Sequence, residues 1–538
     1  MDTDVLVVGG GPVGLAAALE LRRRGVDVIV IDRLAAPALM AKAVGIQPRT
    51  VELWDSIGIA RRALDASITL RGMIGYVNGV PESRFDIRLP DTVPYQFAAL
   101  PQYETERVLA EALADLGTHV RRGTEFVSLS QDGTGVVSTI RDAGGESTIG
   151  SQYLIGCDGA HSTVRRELGL AFEGDAFPEE YMLADVEVDW DLPPGYSIRA
   201  SHKTGDTVDD LLVCIPLPGC KRYRVSMLVP PELSAAPGDG DTVGHGLEGG
   251  RAPELRHIQA VLDRLSPQPT TAANMRWSSV FRISHRIVDR YREGRVFVAG
   301  DAAHIHPPTG AQGMNTGVQD AINLGWKLAL AVRGEAADGL LDSYNDERLP
   351  VGEEVVGRTV RAARSSTGVG DDATDLESVL ARDAQLLVAY PDSPLVADDV
   401  SGASMAGGPA AGSRAPDARG MSQDTVSSAI RLHELFRHPG HTLLLWARDP
   451  EALAAARRFE DMPGYLRWYV IVDREAKLPD VSGPVFRDGD GEFATAYATG
   501  DVDAAAYLIR PDGYIGYRSS SPTAAKLRAH LGRTFSSV

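Results

Sequence analysis

Cysteine is scarce: Cys157, Cys214 and Cys220 are the three in 538 residues, and no Cys-x-x-Cys pair occurs. This excludes a disulfide framework and a structural zinc site. Incidental thiols in a reducing compartment are the reading that remains. Lysine is scarce too, six of 54 basic residues, the rest being arginine. Acidic residues dominate and the formal net charge is -19. The chain therefore lacks the basic balance that nucleic-acid phosphates or an anionic membrane surface would select. No apolar run reaches the roughly 18 residues of a membrane span, so none is expected. The chain opens Met1-Asp2-Thr3-Asp4, acidic where a secretory leader is basic, and a cytoplasmic location is expected. His304 and His306 stand two apart in a Pro-rich loop with no carboxylate spacing to complete a site, so no metal is expected there.

What is present is ordinary globular composition, 43% hydrophobic and 24% charged. At roughly 150 residues per domain, the length predicts about three domains. Asp4 to Val8 reads as a buried strand, Leu15 to Arg24 as a helix stopped by Gly25, and Val26 to Ile31 as a second strand. That is a βαβ unit and the start of a parallel sheet. A helix is predicted over 104–116 and strands near 119–129, 135–142 and 147–155. Strand-like runs across 181–230 predict an inserted antiparallel sheet. Residues 235–252 are rich in Gly, Asp and Pro and read as a mobile loop. A strand at 295–299 and a helix at about 316–333 follow. The Gly/Ala/Ser-rich stretch 401–420 reads as a linker. Strands at 441–447, 468–473 and 505–510 and a helix after Ser521 form a tail unit. The expected divisions are 1–175 with 275–400, then 176–274, 401–420 and 421–538.

Three motifs carry chemistry. Gly9, Gly11 and Gly14 stand in Gly-Gly-Gly-Pro-Val-Gly, with Pro12 and Val13 inside it, between a strand and a helix. The first glycine permits the turn, the second a close phosphate approach, the third close helix–strand packing. The helix start offers unpaired N–H groups to the phosphates. Asp32 ends the second strand, next to Arg33, where an acid can accept ribose hydroxyls. The second motif runs from Cys157 through Asp158, Gly159 and Ser162 to Arg165, with Ser162 a plausible N-cap. The third runs Gly300-Asp301-Ala302-Ala303-His304, then Pro307, Pro308, Gly310, Gly313, Met314 and Asn315. An acid at a strand end can hold a ribityl hydroxyl. The following helix start can face an anionic ring edge.

In this order the three motifs resemble the single-component flavin-dependent aromatic hydroxylases with the para-hydroxybenzoate hydroxylase fold. The resemblance covers about residues 1–400. Within it, Arg49 in Gln-Pro-Arg-Thr-Val-Glu and Gln102 match positions that contact FAD. The Asp158 segment matches one used for FAD and NAD(P)H, and Asp301 the residue that grips the ribityl chain. The tail resembles the thioredoxin-like domain of phenol-hydroxylase-type and antibiotic-tailoring members, on Phe436, Leu443 to Trp446 and Ala506 to Gly513. Lacking Cys-x-x-Cys, it is expected to be structural or to serve oligomerisation. Lys42 stands where the family usually has Arg, Val44 where phenol hydroxylases have an acid, and Arg224 where they have a Tyr.

The resemblance implies an α/β protein: a Rossmann-like FAD-binding domain, an inserted antiparallel-sheet substrate domain and a thioredoxin-like C-terminal α/β domain. It implies an FAD-dependent monooxygenase that consumes NADPH or NADH. Oxygen would add at the flavin C4a carbon and the hydroperoxide would hydroxylate a phenolic or polyketide-like aromatic. Baeyer–Villiger insertion into a polycyclic ketone, and an oxidase or dehydrogenase without NAD(P)H, remain alternatives. Only one glycine fingerprint is present, so NAD(P)H is expected in a surface groove near Asp158 to Arg165. Candidate substrate contacts are Arg224, Tyr223, Arg199, His202 and Pro307. Expected partners are the small aromatic substrate and O2, with a homodimer left open.

Overall fold

The computed structural model describes residues 1–205, 207–234, 246–248, 252–364, 376–401, 404–426, 428–448, 466–476 and 483–537. The first sheet is built around the strand Thr3–Val8, which pairs in parallel with Val28–Asp32 on one side and Gly145–Gly156 on the other. Val120–Arg122 extends it in parallel beyond Val28–Asp32, and Val296–Val298 beyond Gly145–Gly156. Strands covered on both faces read as continuous β-branched runs, which is why Val5 to Val8 and Val28 to Ile31 were legible. The helix Pro12–Arg22 covers one face, packed against the long helix Gly313–Val332.

The second sheet is antiparallel in its centre, where Phe172–Val188 lies between Arg222–Leu228 and Ala272–Val288. Its boundaries differ from 176–274. The strand Ala272–Val288 runs on past residue 274, and the hairpin Gly72–Val77/Val80–Asp86 joins by parallel pairing of Gly72–Val77 with Tyr196–Thr204. A partner more than a hundred residues away leaves no local trace in the chain. One face of this sheet is closed by the amphipathic helix Leu255–Leu265, whose Ile258, Val261, Leu262 and Leu265 pack on Val186, Ile198, Val225 and Met227. The other face looks toward the first domain. Most of the 235–252 loop lies outside the described residues.

The C-terminal sheet is mixed. His441–Ala447 pairs in parallel with Leu466–Asp473 and antiparallel with Ala504–Ile509, which turns back into Ile515–Ser519. The 401–420 segment is not a spacer: Met405, Ala411, Ala415 and Ala418 are buried in this unit's core with Trp446, Phe493 and Tyr507. Small side chains let the backbone lie flat on the sheet, so a composition that reads as flexible is packed. A buried ionic cluster fastens the unit to the first domain. Arg510 donates to both oxygens of Glu347, at 2.6 and 2.8 Å, and Lys327 to Glu347 at 2.7 Å. Asp512 accepts from Asn323 and Trp326 at 3.2 Å each. Arg510 and Lys327 hold the Glu347 carboxyl well below the usual range, while burial pushes the Lys327 ammonium down to about 8.

Among the buried histidines of this unit are two that pack on aromatic rings of its core. His441 packs edge-on against Trp326 and Phe535, and His530 stacks on Tyr517. Burial lowers His441 well below its ordinary value and His530 to about 3. A folded pKa below the unfolded one means that the unfolded chain binds the extra proton. The stabilisation is therefore complete above pH 6.5 and drains away below it, at up to about 1.4 kcal/mol per pH unit for each histidine. Thermal unfolding followed from pH 7.5 to 5 should show a steep fall in Tm beginning near pH 6.5. A flat profile across that window would contradict the buried neutral state.

Candidate functional site

Three chain segments far apart in sequence converge at the carboxyl end of the first sheet. After Val8 the chain turns at Gly9 (φ +110°), where an added Cβ would fall 2.3 Å from the Cys157 carbonyl oxygen. At Gly14 it would fall 1.9 Å from the Gly9 carbonyl oxygen, whereas at Gly11 it would meet nothing within 4 Å. The turn is thus closed at its two ends and open in the middle, where the helix Pro12–Arg22 begins with proline at its first position and no side chain capping it. Asp32 Oδ2 accepts from Gly10 N at 2.7 Å and Oδ1 from Leu34 N at 2.8 Å. Arg122 approaches Asp32 at 3.7 Å, and Arg33 is exposed.

The second motif abuts the first through Cys157. Asp158 accepts from Ser162 Oγ at 2.5 Å and from the backbone N–H groups of Thr163 and Val164 at 2.7 and 3.2 Å. It thereby caps the short helix Thr163–Glu167, and Gly159 supplies the left-handed turn at φ +81°. Burial pushes the Asp158 carboxyl up. Arg165 does not line a surface groove. Its side chain is buried, lies 3.7 Å over the Phe172 ring, and donates to the carbonyls of Ala160 and Ala302 at 2.8 and 3.0 Å. Burial lowers it to about 10. The structure makes it a brace between the second and third motifs.

The third motif closes the ring. A Cβ on Gly300 would lie 2.8 Å from Val13 of the glycine turn. Asp301 meets Lys42 Nζ at 3.0 Å. Asn315 donates to the carbonyls of Gly45 and Ala311 and accepts from Gln47 N, pinning the 45–47 segment to the start of the helix Gly313–Val332. Gln102 accepts from Ala43 N at 3.2 Å and so positions the backbone beside Lys42. Pro307 is buried, Pro308 exposed, and Gly310 is left-handed at φ +71°. Met314 packs against the core of the first domain. His306 donates from Nδ1 to the Pro307 carbonyl at 2.9 Å, and burial holds it neutral with its pKa lowered to about 4. Among the described residues no group of three His, Cys, Asp or Glu is placed to hold a metal ion.

Arg49 is placed away from this ring. Its guanidinium sits on the Tyr514 ring, donates to Glu52 and to the Asp512 carbonyl, and is buried at the C-terminal unit. The sequence reading missed Asp320. Its carboxylate accepts from Gly300 N at 3.0 Å, His304 Nε2 at 2.9 Å and Arg348 Nε at 2.7 Å, and these partners hold its pKa down. The signal was an acid among the buried residues of this helix, legible only once Arg348, 28 residues on, is known to face it.

Of the substrate candidates, Arg224 lies on the sheet face toward the first domain, buried and lowered to about 10. Arg199 shares that face, since its neighbours Ile198 and Ala200 belong to the opposite core. Tyr223 points the other way, edge-on to Trp190 under the helix Leu255–Leu265. His202 is exposed and bonded to Asp209 at 2.7 Å. The alternation of the strand could not be phased from sequence without knowing which face the helix covers.

A family model described as an FAD binding domain matches residues 2–359, and one described as the C-terminal domain of aromatic-ring hydroxylases matches 408–537. The chain is 34% identical to a 6-methylpretetramide 4-monooxygenase of Streptomyces rimosus, covering 98% of this chain and 93% of that one. It is 33% identical to a pentachlorophenol 4-monooxygenase of Sphingobium chlorophenolicum, with 96% and 94% covered. Among solved structures, a ternary complex of aklavinone-11 hydroxylase with FAD and aklavinone superposes with a TM-score of 0.77 at 26% identity, covering 99% and 98% of the two chains.

Proposed function

We propose, from the premise that the chain belongs to the FAD-dependent aromatic-ring hydroxylase family of monooxygenases, that it uses NAD(P)H and O2 to hydroxylate a phenolic or polyketide-like aromatic. The observation that carries this is the ring of three motifs around an open approach over Gly11. It fits FAD: the turn leaves room where a pyrophosphate would come closest, and Asp301, whose carboxylate meets Lys42 at 3.0 Å, would offer it to the ribityl hydroxyls. Bound FAD would supply the redox chemistry, accepting a hydride from NAD(P)H and delivering one oxygen atom of O2 to the ring. The chain's own tasks are holding and shielding. The helix start at Gly313 would direct N–H groups at the anionic edge of the flavin. Ala41, Val44, Ile215, Leu217 and Trp277 form an apolar wall that would keep water from the reacting atoms. Lys42 would keep a positive charge beside Asp301, and with the carboxylate engaged by FAD that charge becomes available to an anionic neighbour.

Two measurements test this reading. Asp301→Ala should weaken FAD binding by about 1.5–3 kcal/mol, as for hydrogen bonds to a charged group, and Asp301→Asn by less because shape and one acceptor survive. Wild-type affinity in both variants, read by fluorescence titration of the apoprotein, would remove Asp301 from the cofactor site. NAD(P)H oxidation should accelerate when a suitable polyphenol is added, with a product heavier by one oxygen atom in mass spectrometry. Oxidation of the aromatic without NAD(P)H would favour the oxidase reading. Lactone formation from a ketone would favour Baeyer–Villiger insertion.

A further inference from the structure

The central strands of the second sheet put three polar side chains in one row. Asp185 stands opposite Arg224 on one neighbouring strand and opposite Trp277 on the other. Directly opposed residues share a face, with Cβ atoms about 5 Å apart. Their sequence neighbours Val186 and Val225 belong to the core under the helix Leu255–Leu265. The row therefore faces the first domain. There Trp277 packs with Ala41, Val44, Ile215 and Tyr103, the segment that carries Lys42 to Asp301. Asp185 is 0% exposed and Arg224 9%. Asp185 Oδ1 accepts from Arg222 at 2.5 Å. The other oxygen, Oδ2, has no partner among the described residues, and neither has Arg224 Nε or Trp277 Nε1.

One orphaned polar atom in a buried place is costly, on the order of 1–3 kcal/mol. Three side by side on a single face, in the order donor, acceptor, donor, describe the complement of a ligand edge. We propose that the row Arg224–Asp185–Trp277 is the subsite that takes the oxygenated edge of a polyphenol, Asp185 accepting from a ring hydroxyl while Arg224 and Trp277 donate to the oxygens on either side. This deepens the hydroxylase reading and rests on it. The roughly 5 Å between neighbouring positions suits oxygens in a 1,3 relation on an aromatic ring, as in a resorcinol unit. A carboxylate that shares the proton of a ring hydroxyl pushes electron density onto the carbons ortho and para to it. Those carbons attack an electrophilic oxygen. The proton moves along the O–H···O contact and no electrons change owner. The row thus supplies what Val44, standing where phenol hydroxylases carry an acid, cannot.

The test uses the FAD-loaded protein without NAD(P)H and 1,3-dihydroxyanthraquinone as probe, whose visible band moves to longer wavelength when a hydroxyl gives up its proton. Unsubstituted 9,10-anthraquinone serves as the oxygen-poor control. The dihydroxy compound should bind at least about tenfold more tightly than the control, the equivalent of roughly 1.4 kcal/mol, and its band should shift on binding. Asp185→Asn should abolish the shift. Trp277→Phe, which keeps the ring and leaves the Arg222 bridge alone, should weaken binding several-fold with the shift retained. It therefore decides the matter even where Asp185→Asn fails to fold. Tyr223→Phe, on the opposite face, should change neither. Equal affinity for the two quinones would overturn the subsite, as would wild-type binding and shift in the Asp185 and Trp277 variants. So would displacement of the probe by benzoate with wild-type affinity in Trp277→Phe, because that pattern belongs to a simple anion site at Arg224. Failure of the hydroxylase reading shows separately: a bound, shifted probe with no oxygen incorporated once NAD(P)H is added.

Discussion

Gly11→Ala should yield a protein that folds normally and comes off the column colourless, while Gly14→Ala should lose both colour and stability. Gly11 has ordinary backbone angles, φ -80° and ψ -176°, and a methyl group there meets no atom of the protein within 4 Å. Alanine at this N-cap position costs the fold about 1 kcal/mol at most. The same methyl would occupy the space through which the FAD pyrophosphate must approach the helix start. FAD affinity should fall at least a hundredfold, about 2.8 kcal/mol at tenfold per 1.4. Gly14 is the opposite case. Its Cβ would sit 1.9 Å from the Gly9 carbonyl oxygen, a backbone atom that cannot swing aside, so the helix must lift off the strand. Overpacking of that kind costs about 1–3 kcal/mol or more. Flavin absorbance per protein and apoprotein Tm together separate the two. A yellow Gly11→Ala protein would mean that the cofactor does not cross the turn there.

The second large effect is expected at Arg510. Replacing it by Met removes the guanidinium that bonds both Glu347 oxygens and Asp512, leaving two buried carboxylates to share Lys327, Asn323 and Trp326. Breaking a buried pair by removing one partner costs about 3–5 kcal/mol. Because the cluster spans two domains, the loss should appear as separation of the thermal transition into two, with the C-terminal unit melting first, and as new proteolytic cuts near residue 400. Replacing Arg510, Glu347 and Asp512 together by apolar residues of similar volume should recover part of the stability, since no lone charge is then buried. A single Arg510→Met variant within 0.5 kcal/mol of the parent would show that the apolar contacts between Trp326 and the C-terminal core hold the domains unaided.

The first domain was legible because its signals are local. The glycine turn, the strand before it and the acid after the second strand lie within the first 32 residues, and each has one structural meaning. The sheet behind the substrate side was legible as an antiparallel insertion. Its parallel edge hairpin at 72–86 was not, since the pairing partner begins at Tyr196. The phase of the central strands was hidden for a related reason. Tyr223 and Arg224 both look plausible as pocket residues until the helix Leu255–Leu265 claims the Tyr223 face. Motif matching located Arg49 and Arg165 but not the partners that hold them within the chain. Both are buried arginines whose partners, Asp512 and Ala302, come from remote segments, and an arginine's role is set by what it reaches. The 401–420 stretch misled because small residues serve equally for freedom and for close packing.

The helix Gly313–Val332 is held at both ends by different parts of the chain. Asn315 ties its first turn to residues 45–47, and Asn323, Trp326 and Lys327 tie its later turns to Asp512 and Glu347. A length of helix fixed at two points transmits displacement along its axis. The C-terminal unit therefore cannot be exchanged between relatives as a cassette. A chimera that carries a foreign tail must bring a residue pair matched to Glu347, Asn323 and Trp326, or the helix start that Asn315 ties to residues 45–47 will shift against them.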